Sequence, residues 1–193
     1  MPTDAELVAE IKQGSKAAMD VLVKRHYHTV FAFFYRKLGN DQLAYDLTQE
    51  VFIKVIKAIP RYKNSKPFSH WLLTIAVNHS RDYFRSRAHQ QSATQLPLFE
   101  SLKDESADIP KLLSKKLDSE RVKEALGLLP DHQREAIILK YYHDLSIKEI
   151  ASLSNKKEAT VKSRLQQGIH KLKKQLKRRD IDEETTNQLR KTR

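Results

Sequence analysis

SIKEIASLSNKKEATVKSRL, residues 146–165, decides how the rest of the chain is read. Ser146 followed three residues later by Glu149 is a capping box, which starts a helix. Ala151 is small where a second helix must cross closely, and Asn155 tolerates the left-handed backbone of a tight turn. Val161 and Leu165, one helical turn apart, fold the next helix back onto the first. A short helix, a turn of about four residues and a longer basic helix make the helix-turn-helix pattern. A solvated charged face is the ordinary reading of so lysine-rich a stretch. The capped preceding helix and the Ala/Asn/Val spacing favour a helix presented to an acidic partner. Lys162, Ser163, Gln166 and Gln167 lie off the apolar stripe, where early helical turns reach base edges, and Lys156, Lys157 and Arg164 suit phosphates.

Composition agrees with helices elsewhere. The chain has 193 residues, 39% hydrophobic and 31% charged, with only 4 Gly and 6 Pro. That composition predicts an all-α protein of two small helical domains. Its formal net charge of +12 is divided unevenly. Residues 1–92 carry 14 Lys/Arg against 8 Asp/Glu and residues 120–179 carry 15 against 7, while residues 93–119 carry 4 against 5. Two basic blocks flanking a near-neutral connection point to nucleic acid; a membrane surface would call for a strongly apolar opposite face or a lipidation signal, and neither is written here. With no cysteine, a disulfide framework, a thiol nucleophile and a cysteine zinc site are excluded. No apolar run approaches the ~18–20 residues of a membrane span, and the polar start MPTDAELVAE is unlike a signal peptide, so no integral membrane segment and a cytoplasmic location are expected.

The first block divides into four helices. Thr3 and Glu6 form another capping box, and Gly14 closes that helix. A longer helix from Ser15 to Leu38 turns Met19, Leu22, Val23, Val30, Phe33 and Phe34 inward and stops at Gly39. The third, 41–59, is capped by Asn40 or Asp41 and ended by Pro60. Leu43, Leu47, Val51, Val55 and Ile59 recur every four residues with Ile56 beside them, leaving Asp46, Gln49, Glu50, Lys54 and Lys57 on the surface. After the loop RYKNSKP (61–67) comes a helix from about Pro67 to Arg87. Between residues 89 and 117 Gln, Ser, Asp, Glu, Pro97 and Pro110 break the pattern, as in a flexible linker. Periodicity returns at Ser119 with Val122, Leu126 and Leu129, and a final helix from Lys157 to Arg178 carries Val161, Leu165, Ile169, Leu172 and Leu176 on one stripe. Residues 180–193 read as a frayed tail.

DLTQEVFIKV (46–55), PFSHWLLTIAVN (67–78) with RDYFRSR (81–87), LLPDHQREAIILKYYHDLSIKEIA (128–151) and ATVKSRL (159–165) occur in that order, with the polar linker between the second and third. In this the chain resembles a bacterial RNA polymerase sigma factor of the extracytoplasmic-function class of the sigma-70 family, over residues 4–178. The resemblance implies region 2 at 1–88, a linker at 89–117, region 4 at 118–179 and a tail of unassigned role at 180–193. It implies binding to core RNA polymerase through Asp46, Gln49 and Glu50, and recognition of promoter DNA at two upstream elements. Tyr62, Lys63, Asn64, Ser65, Lys66 and Phe68 match the loop that captures a flipped base of the minus-10 element, and Asn78 matches a position whose amide bonds such a base. Arg81, Arg85 and Arg87 are placed to hold phosphates. Trp71 matches a family tryptophan, but its apolar stripe makes it core rather than a stacking platform. His79 reads as structural or surface.

Lys162, Ser163, Gln166 and Gln167 match the family's contacts to the minus-35 element, although many relatives carry a basic residue where Gln167 stands. Ser154, Lys156 and Lys157 occupy turn positions often apolar or proline in relatives, which predicts a looser turn. ESLKDESAD (100–108) could mimic RNA charge along the polymerase's exit path or serve as a plain tether. An anti-sigma factor is the further implied partner. No cofactor, metal or catalytic residue is implied, because opening a promoter needs binding energy that favours melted strands rather than covalent chemistry. Two rivals stand beside this reading. A helix-turn-helix repressor or activator independent of polymerase would not need the DLTQE segment and would call for a dimerising element. A nucleic-acid-processing enzyme would need more than Asp46 and Glu50 one turn apart.

Overall fold

A computed structural model describes the backbone of residues 1–90 and 120–191 and the side chains of residues 1–86 and 122–176. The described residues form helices joined by short turns, with no strand among them. In the first half these are α1 (Asp4–Lys12), α2 (Lys16–Leu38), α3 (Asp41–Ala58), a single 3-10 turn (Ile59–Arg61) and α4 (Phe68–Gln90). The second half contains α5 (Glu120–Gly127), α6 (Asp131–Tyr141), α7 (Ile147–Ser154) and α8 (Glu158–Lys191). The expected linker, its acidic stretch, the side chain of Arg87 and the side chains of the tail lie outside the described residues. The last helix does not stop near residue 178 as its periodicity suggested; its backbone stays helical to Lys191.

Local chemistry sets most boundaries. At α1 the Thr3 hydroxyl accepts from the Glu6 amide while the Glu6 carboxylate accepts from the Thr3 amide at 2.7 Å, closing both halves of the box. The Asn40 side chain accepts from the Leu43 amide at 2.8 Å and starts α3. Gly39, with φ of +68°, donates to the Tyr35 carbonyl and ends α2 in the left-handed conformation that glycine adopts without steric cost. Met19 and Val23 are half-buried, whereas Leu22, Val30, Phe33 and Phe34 are fully inside.

One expected core position is corrected. Ile56 is 47% exposed, because the buried stripe of α3 runs through Leu47, Val51, Phe52 and Val55 and leaves residue 56 just outside its edge.

In the first half α2 packs against α1 and α3, and α3 against α4; in the second, α8 packs against α5, α6 and α7. The halves also pack on each other, α2 against α5 and α6 and α4 against α7, through one contiguous apolar core. That contact explains α6, which buries Gln133, Glu135, Ala136, Ile137, Ile138 and Leu139 in succession and so has almost no solvent face. Glycine at position 168 lets α8 approach α6, since a β-carbon there would lie 2.9 Å from Ile137 Cδ1 and 3.2 Å from Gln133 Cβ.

Candidate nucleic-acid interface

Three surfaces carry the residues singled out from sequence. The first is the loop between the 3-10 turn and α4. Tyr62 and Phe68 are buried, at 6% and 4% exposure. They floor the loop. The Tyr62 ring meets Phe68 edge-on at 5.7 Å and Trp71 at 4.8 Å, its hydroxyl donates to the Lys66 carbonyl at 2.5 Å, and its carbonyl accepts from Lys12 Nζ at 2.6 Å. Burial raises the pKa of its phenol, which keeps the hydroxyl a donor. Pinned at both ends, the loop turns at Asn64, whose φ is +47°, and exposes Lys63, Asn64, Ser65 and Lys66. A cavity of about 580 Å³ opens beside it, lined by Asp4, Arg25, Asn64, Lys66 and the Tyr62 and Phe68 rings among others. Trp71 is half-buried and packs on Tyr62 and Phe68 rather than standing free.

On α4 the spacing of Asn78, Arg81 and Arg85 puts them on one side of the helix. Asn78 and Arg85 are exposed. Arg81 is already engaged, its guanidinium bonding the Glu135 carboxylate and donating to the Ser154 carbonyl at 3.1 Å.

The second surface is α3. Asp46, Gln49 and Glu50 are all exposed, as sequence spacing indicated. Two features were missed. Tyr45 and Ile53 are 45% and 51% exposed on the same helix, so the polar stripe has apolar neighbours. His79, buried on α4, lies 2.9 Å from Glu50 Oε2 through Nε2 and 2.7 Å from Lys54 Nζ through Nδ1. Burial and the Lys54 charge lower the His79 pKa despite Glu50. The neutral ring therefore accepts from Lys54 at Nδ1, which orients the Lys54 ammonium, while Nε2 lies beside the Glu50 carboxylate. A histidine on an apolar stripe gives no sign of this in sequence.

The third surface is the helix-turn-helix, α7 and α8. The Ser146–Glu149 box is complete, and Asn155 adopts φ of 50° and ψ of 49° as its spacing predicted. The turn is not loose. Ser154 is buried with its hydroxyl bonded to the Ile150 carbonyl, and the Lys156 amide donates to the Ala151 carbonyl at 3.0 Å. A serine that satisfies its own hydroxyl on the preceding turn fills the place of an apolar residue. Ala151 and Val161 are buried at the crossing. Lys156, Lys157, Lys162, Ser163, Gln166 and Gln167 are exposed, and Arg164 is half-buried. Gln167 is held in place: its Nε2 donates to Ser163 Oγ at 3.0 Å, and its Oε1 accepts from buried Gln133 at 2.9 Å.

Among the described residues no cluster of His, Cys, Asp or Glu could hold a metal ion, and no helix is long and apolar enough to cross a membrane.

Residues 22–90 match the model of Sigma-70 region 2, and residues 119–172 match that of Sigma-70, region 4. The chain is similar to the RNA polymerase sigma-H factor of Pseudomonas aeruginosa, 28% identical over 170 residues that cover 84% of this chain and 88% of the relative. It is 29% identical to the ECF RNA polymerase sigma factor SigW of Bacillus subtilis, over 88% of this chain and 95% of the relative. Among solved structures, CnrH in complex with the cytosolic domain of CnrY aligns with a TM-score of 0.64 at 25% identity, over 90% of this chain and 97% of that one. The sigma factor RpoE in complex with the anti-sigma factor NepR from Bartonella quintana shares the fold, with a TM-score of 0.63 at 22% identity over 80% and 94%. A loop-bearing four-helix half and a helix-turn-helix half, matched in order by the two region models, place the chain in the sigma-70 family, among its extracytoplasmic-function sigma factors.

Proposed function

We propose that the chain binds core RNA polymerase and directs it to promoters by reading a minus-10 and a minus-35 element. The observation that carries this is the presence, on one chain, of a cation-tipped loop over an aromatic floor and a closed helix-turn-helix with an exposed polar face, matched in order by regions 2 and 4. On α3, Asp46, Gln49 and Glu50 meet the polymerase, with Tyr45 and Ile53 adding apolar contact and His79 lying beside Glu50. Lys63, Asn64, Ser65 and Lys66 hold an extruded base and its backbone at the loop. Asn78 bonds the base edge, and Arg81 and Arg85 follow the phosphates. Tyr62 and Phe68 act from beneath, by shaping the loop. The minus-35 element lies along α8, with Lys162, Ser163, Gln166 and Gln167 toward base edges and Lys156, Lys157 and Arg164 toward phosphates. Strand opening follows from preferential binding of single strands and asks for no covalent chemistry. An anti-sigma factor is the partner that holds the chain when polymerase is not engaged, and the cytoplasm is where it acts.

Run-off transcription with purified core polymerase tests the reading. Product that starts at a defined promoter only when this chain is added supports it; binding to duplex DNA without initiation supports a repressor instead. In the same assay Asn78→Ala should reduce opening at the minus-10 element about tenfold or more while co-purification with polymerase stays unchanged, since one lost bidentate base contact is worth roughly 1–3 kcal/mol. Loss of polymerase binding would make Asn78 structural.

A further inference from the structure

Helix α1 lies ahead of residue 22, where the match to Sigma-70 region 2 begins, yet both its ends are fastened to parts that shape the loop after the 3-10 turn. Buried Leu7 and Val8 seat α1 against α2 and that turn. In its first turn the Asp4 carboxylate lies 2.6 Å from Arg25 Nη1 and 2.8 Å from His26 Nε2, and the buried His26 ring packs on Phe68 with centroids 5.1 Å apart. At its last residue Lys12 Nζ donates to the Tyr62 carbonyl at 2.6 Å. The cavity beside the loop has Asp4 and Ala5 of α1 on its wall together with Asn64 and Lys66.

Lys12 has the most direct hold on the loop. The Tyr62 hydroxyl reaches the Lys66 carbonyl, which ties the two ends of the loop to each other through one side chain. That tie closes the loop without placing it. The Lys12 bond places it, because it joins the backbone of Tyr62 to a packed helix 50 positions earlier in the chain. A charged donor makes this bond stronger than one between neutral groups, and the ammonium sits at the C-terminal end of α1, where the helix dipole favours a cation. The tip turns sharply at Asn64, with φ of +47°, so a shift of Tyr62 would carry the side chains of residues 63–66 with it.

We infer that Lys12 is a positioning residue for minus-10 recognition: by holding the Tyr62 carbonyl it sets where Asn64, Ser65 and Lys66 meet an extruded base, and it does so without touching DNA itself. Its ammonium is spent on the carbonyl, so its loss removes accuracy at the captured base and no phosphate contact. This rests on the promoter reading above for the role of the loop, but the hold on Tyr62 is measured separately.

On a promoter at which the chain supports run-off transcription, each minus-10 base is replaced in turn and the loss of open complex is recorded. In Lys12→Met the penalty for a wrong base at the position the loop captures should fall about fivefold, a fraction of what a charge-assisted bond can supply. Penalties in the minus-35 element, co-purification with core polymerase and the salt slope should stay as in the parent chain. Lys12→Arg, which keeps a charged donor, should retain most of the penalty. Trp71 is the one tryptophan and packs on the Tyr62 ring at 4.8 Å, so it reports on the hold directly. Acrylamide quenching of its fluorescence should increase in Lys12→Met and not in Lys12→Arg, with melting of both variants within about 4 °C of the parent. The inference is overturned if Lys12→Met leaves the minus-10 penalty unchanged, or if it weakens binding equally at every base and lowers the salt slope by about 1, as loss of a phosphate contact would. If the parent chain initiates nowhere with core polymerase, the promoter reading fails instead, and the quenching of Trp71 still decides whether Lys12 holds the loop.

Discussion

At the scale of single residues, burial decides which ionisable groups respond to pH. His143, packed beside the Phe33 ring, has its pKa lowered to about 4 by burial and by the Arg36 charge, with Asp144 opposing. Its ordinary value near 6.5 returns on unfolding, so the unfolded chain binds the extra proton between the two values. The contribution to stability is complete above about pH 6.5 and is lost as pH falls toward 4, at about 1.4 kcal/mol per unit. His79 and His132, also lowered by burial, add in the same direction. Urea unfolding followed from pH 7 to pH 4.5 should show the decline, and His143→Phe should flatten it.

Exposed residues on α8 separate by role. Lys156→Ala should weaken duplex binding uniformly across sequences and reduce the salt slope by about 1. Gln167→Ala should instead alter preference at one base pair by roughly 1–3 kcal/mol, because its amide is oriented by Gln133 and Ser163 before any DNA arrives. Titration of a promoter series at two salt concentrations distinguishes them. A salt effect for Gln167→Ala equal to that of Lys156→Ala would reassign it to the backbone.

At the scale of elements, the crossing of α6 and α8 is the sensitive one. Gly168→Ala would gain about 1 kcal/mol of helix propensity. The new methyl group would meet Ile137 and the Gln133 β-carbon closer than packing allows, and overpacking of this kind costs about 1–3 kcal/mol. The expected result is a net loss of stability in urea, accompanied by weaker discrimination at the base that Gln167 reads. Caps and stops were legible in advance: Thr3 with Glu6, Gly39, Asn40, Ser146 with Glu149 and Asn155 all act within about four residues of themselves. The side of α3 that faces solvent was less so. Ile53 and Ile56 look like core by residue type and are exposed, because the apolar stripe continues through Phe52 instead.

At the scale of the whole molecule, the contact between halves depends on a fully buried lysine and its carboxylates. Removing one partner of such a pair costs about 3–5 kcal/mol if the charge stays buried. Opening of the halves caps that cost, so Glu135→Ala should divide one thermal unfolding transition into two, which calorimetry would resolve. A single undivided transition lowered by the full amount would mean that the halves cannot separate.

The sequence by itself determined the helices, their caps, the helix-turn-helix and the exposed residues of α8, because each depends on neighbours a turn or two away along the chain. It also determined the two basic blocks and the order of motifs that gave the family. Only the tertiary structure decided that Tyr62 and Phe68 lie beneath the loop, that His79 lies between Glu50 and Lys54, and that Lys37, Arg81 and Glu135 meet. Lys37 and Glu135 are 98 positions apart. No local pattern encodes such a meeting; it arises when the packing of α6 on α2 removes both charges from water and leaves each as the other's nearest compensation.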